Sequence, residues 1–175
     1  MTERLKSPLA VAIVGLGPRG LHCFERLTKE ACRMQPPQAL EVDLYEPHPF
    51  PGAGPVYDPG SPHHLRMNFA ARNIDLWLRD NPILLLESQL PLTKWLTVHR
   101  PEWASHSFVP RAVVGEYLHD GYLKVIRSLP ASIRVRLIPR PVEKLERRHQ
   151  KWHLGPDRDR YDEVLITTGH ATSRG

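Results

Sequence analysis

Three glycines at fixed spacing carry the first chemical signal in this chain: Gly15-Leu16-Gly17-Pro18-Arg19-Gly20. They follow the apolar run Leu9-Ala10-Val11-Ala12-Ile13-Val14 directly. In a G-x-G-x-x-G turn, Gly15 lets a strand bend sharply into a helix. Gly17 leaves room for a pyrophosphate to approach the backbone, and Gly20 lets the helix pack closely on the sheet. The helix N-terminus then presents N–H groups and the positive end of its dipole to phosphate oxygens. An acid at the end of a second strand completes the pattern. Glu46 takes that position, followed by Pro47. It lies somewhat further along than the ~20 residues usual for the acid that bonds a ribose diol. No Lys or Arg adjoins Glu46, which argues against a ribose 2′-phosphate there. On these residues alone the ligand is a dinucleotide, with FAD and NAD both open.

Other reactive side chains lack a framing pattern. His48, His63 and His64 have no companion Cys or acid cluster at metal-ligand spacing, so no metal site is expected. There is no G-x-S-x-G turn, and no catalytic acid, base or nucleophile can be named. Cys23 and Cys32 fall nine residues apart on one expected helix and do not form a C-x-x-C pair. That usage fits a reducing compartment and a cytoplasmic protein.

The elements that must position the glycines follow from periodicity. Leu9–Val14 reads as a buried strand, and Pro18–Met34 as a helix with Leu21, Phe24, Leu27 and Ala31 on one face. Glu41–Tyr45 reads as a second strand, giving a βαβ unit of about 37 residues. The next stretch, 47–68, holds six prolines and three glycines, a long functional loop by its composition. Asn81-Pro82 reads as a helix start, and Thr93–His99 as a further helix. Arg111–Leu129 is amphipathic, Ile133–Ile138 a strand, Val142–Leu154 a hairpin turning near Arg148-His149-Gln150, and Glu163–Thr167 a last strand.

Bulk properties set outer bounds. The 175 residues suffice for one domain with a core, and 41% hydrophobic with 25% charged residues is ordinary for a folded protein. The net charge of +5 comes without a Lys/Arg stripe interleaved with aromatics, so nucleic acid is not expected as a partner. No apolar stretch approaches membrane-spanning length, and no membrane partner is expected either.

Several further segments carry a resemblance. Asp162-Glu163-Val164-Leu165-Ile166-Thr167-Thr168-Gly169 is similar to the "DxVIxATG" element of two-dinucleotide-binding flavoproteins, with Thr167 where alanine is usual. Gly52-Ala53-Gly54-Pro55-Val56-Tyr57, Leu65-Arg66-Met67-Asn68 and Val109-Pro110-Arg111 followed by Gly115-Glu116-Tyr117-Leu118 resemble, in that order, the bacterial FAD/NAD(P)-binding family. That family is related to flavin-dependent N-hydroxylating monooxygenases. The resemblance runs from about Val11 to Gly169 and implies an α/β fold: a Rossmann-like parallel sheet with a β-hairpin or meander layer, as in glutathione-reductase-like FAD-binding domains.

The resemblance also implies one FAD-binding domain over 1–175, with Pro47–Pro110 as a loop- and helix-rich insertion. By it, Gly15, Gly17, Pro18, Arg19 and Gly20 hold the FAD pyrophosphate, and Glu46 with Pro47 the adenosine ribose. Asn68 lies near the flavin or its ribityl chain. Val142, read as lying in a strand, meets the adenine through its backbone. Thr168 and Gly169 back the pyrophosphate, and Arg111 anchors the loop against phosphate or a structural carboxylate. In the resembled proteins a later segment completes the FAD domain and a second domain supplies NAD(P)H. The expectation is therefore that this chain is incomplete at its C-terminus or works with a second chain. Two alternatives remain: an NAD-binding dehydrogenase or nucleotide sensor, and a non-enzymatic nucleotide-binding module.

Overall fold

The computed structural model describes residues 7–77, 82, 84, 89–155 and 160–169. Its centre is a four-stranded parallel sheet in the order β3-β2-β1-β7. The strands are β1 (Leu9–Val14), β2 (Leu40–Tyr45), β3 (Ile133–Ile138) and β7 (Glu163–Ile166). Register pairs Val14 with Tyr45, Tyr45 with Ile138, and Val14 with Ile166. All four strands therefore end in one row, and the turns that leave them share one edge. This is the edge at which open α/β sheets bind ligands.

Helix α1 (Pro18–Arg33) and helix α3 (Arg111–Arg127) lie on one face of the sheet. Leu21 and Phe24 of α1 pack there with Val113, Tyr117 and Val125 of α3, against Ile13, Val42 and Leu44. The other face carries an antiparallel meander of β4 (Leu145–Arg148), β5 (Lys151–Leu154) and β6 (Arg160–Tyr161). Ala12, Val14 and Tyr45 are buried beneath Leu154 and Tyr161. Cover on both faces explains why β1 is a continuous apolar run rather than an alternating one. The hairpin turns at His149 (φ 49°) and Gln150 (φ 64°), both in the positive-φ region a two-residue turn of this kind requires.

One residue joins meander and sheet. Asp162 donates its N–H to Ala10 O (2.8 Å) and accepts the Ala10 N–H on Oδ2 (3.0 Å). Its other carboxylate oxygen takes the Lys151 ammonium. The Lys151 hydrogen bond, then the one from Ala10, holds the Asp162 carboxyl below the usual carboxylate range. The chain thus leaves β6 and enters the parallel sheet at a fixed register.

The segment between β2 and α3 is loop-rich. It contains 3-10 turns at Pro55–Tyr57, Ala71–Asn73 and Pro101–Trp103 and the short helix α2 (Leu92–His99). Residues 65–71 run antiparallel to 107–111 through Met67 N–H to Val109 O (2.9 Å), Arg111 N–H to Leu65 O (2.8 Å) and Ala71 N–H to Ser107 O (2.8 Å). Tyr117 of α3 ties a deeper part: its hydroxyl donates to Leu90 O and accepts from Leu76 N–H, both at 3.0 Å. The helix expected from Asn81-Pro82 falls largely outside the described residues.

Two boundaries differ from expectation. Helix α3 ends at Arg127, so Leu129 packs on the core from beyond the helix. Val142 does not lie in a strand, because β4 starts only at Leu145. Pro139 and Pro141 lack the N–H groups a ladder needs, and pairing with β5 resumes only at Lys144, whose carbonyl accepts the Gly155 N–H at 2.9 Å.

Candidate dinucleotide site

The turn after β1 is held by its own backbone and its neighbours. Gly15 (φ +90°) donates its N–H to Tyr45 O at 2.8 Å, extending the ladder one residue beyond the strands. The positive φ is a conformation that glycine adopts without strain. A Cβ at Gly15 would also lie 2.8 Å from Thr168 Cα, so the end of β7 packs directly on this turn. Leu16 O accepts the N–H of Gly52 (2.6 Å), and Leu21 N–H returns to Gly17 O (2.9 Å) to start α1.

What remains is a set of donors without acceptors. The N–H groups of Gly17, Arg19 and Gly20 have no acceptor among the described residues. Gly17 is the N-cap without a side-chain cap, Pro18 opens the helix, and no acid lies in its first turn. A Cβ at Gly17 would meet no atom within 4 Å. Unpaired helix-terminal donors beside open space, with no acid in the first turn of the helix, fit the pyrophosphate of a dinucleotide.

Glu46 is buried beside this turn. Its Oε2 accepts Leu16 N–H at 2.6 Å and its Oε1 accepts His48 N–H at 2.9 Å. Each carboxylate oxygen keeps a second lone pair, so a ribose hydroxyl can still be accepted. The acid is therefore a brace for the loop as well as a candidate ribose ligand. Beyond it, the His48 ring contacts Asp58 (Nε2 to Oδ2, 3.2 Å), and Asp58 Oδ1 accepts Gly60 N–H (2.6 Å). The Gly60 hydrogen bond first, and His48 after it, holds the Asp58 carboxyl below its ordinary value.

On the other side of the turn is a cavity of about 610 Å3. Pro18, Arg19, His22 and Cys23 of α1 line it, with Tyr57, Met67, Asn68, Leu76, Val114, Leu118 and Thr167. The structure thus brings together Pro18, Arg19 and Asn68 in one cavity wall, with Gly15, Gly17, Gly20 and Glu46 at the adjoining turn. Thr168 and Gly169 (φ +77°) stand at the end of β7 beside Gly15. Pro47 is exposed next to Glu46, and Val142 packs half-buried against the meander cluster. Arg111 anchors the 65–71 segment through its backbone N–H, while its guanidinium has no carboxylate partner among the described residues.

Some neighbours were not expected as site residues. Gly52 and Gly54 sit against the turn: a Cβ at Gly54 would lie 3.2 Å from Gly17 Cα. Their G-x-G spacing was visible, but not what it would pack against. Tyr57, Leu76, Val114 and Leu118 reach the cavity through tertiary packing that no local pattern announces. Among the described residues no group of three or more His, Cys, Asp or Glu side chains could hold a metal, and no helix is long and apolar enough to cross a membrane.

A parallel sheet over α1 and α3, a meander crossover and a phosphate-type turn beside a strand-end acid define a Rossmann-type dinucleotide-binding domain. Comparison with known proteins agrees. The family model described as FAD-NAD(P)-binding matches residues 12–171, and this chain belongs to that family. It is similar to nitrosuccinic acid synthase npaA of Aspergillus oryzae (strain ATCC 42149 / RIB 40), 30% identical over 128 residues, covering 71% of this chain and 20% of that protein. It is similar to two L-aspartate N-monooxygenases (nitrosuccinate-forming). That of Streptomyces davaonensis is 27% identical over 143 residues, covering 71% of this chain and 22% of the relative. That of Streptomyces cremeus is 28% identical over 156 residues, covering 74% and 22%. The chain thus spans about a fifth of the length of these curated relatives. The crystal structure of Tmm from Pelagibacter sp. strain HTCC7211 shares the fold, with a TM-score of 0.55, 18% identity, and coverage of 92% of this chain and 36% of that one.

Proposed function

We propose that this chain is the FAD-binding portion of a flavin-dependent N-monooxygenase that uses NAD(P)H and oxidises the amino group of an acidic amino acid such as aspartate. The observation that carries the cofactor reading is the set of N–H groups on Gly17, Arg19 and Gly20 without an acceptor among the described residues, beside open space over Gly17. The substrate class rests on the relatives, which are named for nitrosuccinate formation from L-aspartate.

In this reading Gly15, Gly17, Pro18, Arg19 and Gly20 hold the pyrophosphate, and Glu46 beside Pro47 accepts the adenosine ribose hydroxyls. Val142, whose backbone has no hydrogen-bond partner among the described residues, offers it to the adenine. Thr168 and Gly169 back the pyrophosphate, Asn68 faces the ribityl chain or flavin ring, and Arg111 anchors the loop below it. When bound, FAD supplies the redox chemistry that couples NAD(P)H to dioxygen. The chain's own contribution is position and exclusion of water, through Met67, Leu76, Val114 and Leu118 in the cavity wall. The whole chain forms one domain in this reading, with Pro47–Pro110 inserted between β2 and α3.

The absorbance spectrum of the purified chain tests the cofactor. Flavin bands, with FAD released on denaturation, are expected; a colourless protein that binds NAD but not added FAD overturns the reading. Aspartate-stimulated NAD(P)H oxidation by the whole enzyme to which this portion belongs tests the substrate class. Stimulation by a different amine and none by aspartate would sink that part alone.

A further inference from the structure

One peptide group of the phosphate turn is gripped at both edges. The carbonyl of Gly15 accepts the Thr167 hydroxyl at 2.6 Å. The N–H of Leu16, in the same peptide plane, donates to Glu46 Oε2 at 2.6 Å. In a trans peptide these two groups point in opposite directions. The grips come from opposite sides of β1, Thr167 from the end of β7 and Glu46 from the end of β2. Thr167 is itself fixed, because its N–H donates to Val14 O at 2.8 Å. Its hydroxyl therefore reaches Gly15 from a backbone already in register.

That grip has work to do. A turn with glycine at two of its first three positions samples many conformations when unrestrained. The Gly15–Leu16 peptide sets the direction of the chain into Gly17, and so the aim of the N–H groups beyond it. Thr167 lines the cavity wall, yet its closest polar contact is the Gly15 carbonyl, with Val14 O further off at 3.3 Å. Thr168, one residue on, is exposed and makes no such bond among the described residues.

We propose that Thr167 is a positioning residue of the dinucleotide site: its hydroxyl fixes the Gly15–Leu16 peptide so that the Gly17, Arg19 and Gly20 N–H groups converge before the ligand arrives. The proposal rests on the cofactor reading above. It touches the pyrophosphate end of the ligand alone, so FAD and ADP feel it equally. Preorganisation of this kind raises affinity by removing an ordering cost from the binding step.

Thr167→Ala removes the hydroxyl and Thr167→Ser keeps it. Dissociation constants for FAD and for ADP are measured on the full chain, together with the exchange rate of the Leu16 amide without nucleotide. For Thr167→Ala the expectation is about fivefold weaker binding of both ligands, the worth of one ordinary hydrogen bond, and faster Leu16 exchange. Thr167→Ser restores all three, which a purely steric role for the side chain would not. Wild-type binding with Thr167→Ala unchanged overturns this proposal and leaves the cofactor reading standing, as does an equal loss in both variants. A wild-type chain that binds neither FAD nor ADP overturns the cofactor reading and this proposal with it.

Discussion

A methyl group placed on Gly20 would lie 2.1 Å from the carbonyl oxygen of Gly15. The first and third glycines of the turn are thus in direct backbone contact, while the second, Gly17, looks into open space. The three glycines serve two different purposes, and substitution separates them. Gly20→Ala forces backbone apart in a packed turn and is expected to destabilise the fold by roughly 1–3 kcal/mol. Gly17→Ala meets nothing in the protein and has an ordinary φ of −74°, so thermal unfolding without ligand stays near wild type. Its methyl group would instead stand where the proposed reading brings in the pyrophosphate, so FAD affinity is expected to fall. Melting curves and FAD titration on both variants check the contrast; equal melting temperatures for the two would contradict it.

Glu46→Gln tests the acid's second role. Two backbone N–H groups, of Leu16 and His48, converge on the carboxylate of Glu46, a residue only 5% exposed. An amide offers one acceptor oxygen where two are needed, leaving one donor facing another. The cost is about 1–3 kcal/mol in the ligand-free protein. Urea unfolding without nucleotide measures it. Were Glu46 only a ribose ligand, that stability would not change.

The local elements were largely legible from the sequence. The apolar run at Leu9–Val14 and the strand Ile133–Ile138 have the bounds their patterns implied, and the hairpin turns at His149-Gln150 as expected. These features rest on periodicity and turn chemistry, which are local. The resemblance and the expected hairpin Val142–Leu154 place Val142 in a strand, but two nearby prolines remove ladder donors and β4 starts at Leu145. The site was legible as a turn, an acid and a last strand. The side chains that form the cavity were not, since Tyr57 and Leu76 arrive from a proline-rich segment with no period. Nor could spacing show that Glu46 and Thr167 grip one peptide, because that depends on β2, β1 and β7 ending in a single row.

Gly115 supplies a third test, on the helix that walls the cavity. A Cβ there would fall 1.7 Å from the carbonyl oxygen of Tyr57, so α3 lies directly against the Pro55–Tyr57 turn. Gly115→Ala must push that turn away, and Tyr57 lines the cavity. Loss of at least 1 kcal/mol of stability is expected, of the order seen for overpacking. It is accompanied by weaker flavin retention, read as FAD released on gel filtration. Retained stability would mean that α3 and the turn separate without cost.

Alkaline pH gives a fourth. Burial first, then hydrogen bonds with Asp43 and Tyr45, raises the Tyr161 phenol far above its ordinary 10.0. Burial likewise raises Tyr117, with the charges of Asp75 and Asp120 adding to it, and burial raises Tyr122. For each, the folded chain keeps a proton that the unfolded chain loses near pH 10, so the native state binds more protons above that value. Stability is therefore full below pH 10 and falls as pH rises beyond it, by up to about tenfold in the folding constant per pH unit for each group. Tyr161→Phe loses the hydrogen bonds to Asp43 and Tyr45 and is less stable than wild type at neutral pH. It also lacks one of the titrating groups, so its deficit must shrink as pH climbs past 10. Urea unfolding of both proteins from pH 7 to about pH 11 follows that deficit. A deficit that stays constant across the series would mean that the Tyr161 phenol titrates as freely in the folded chain as in the unfolded one.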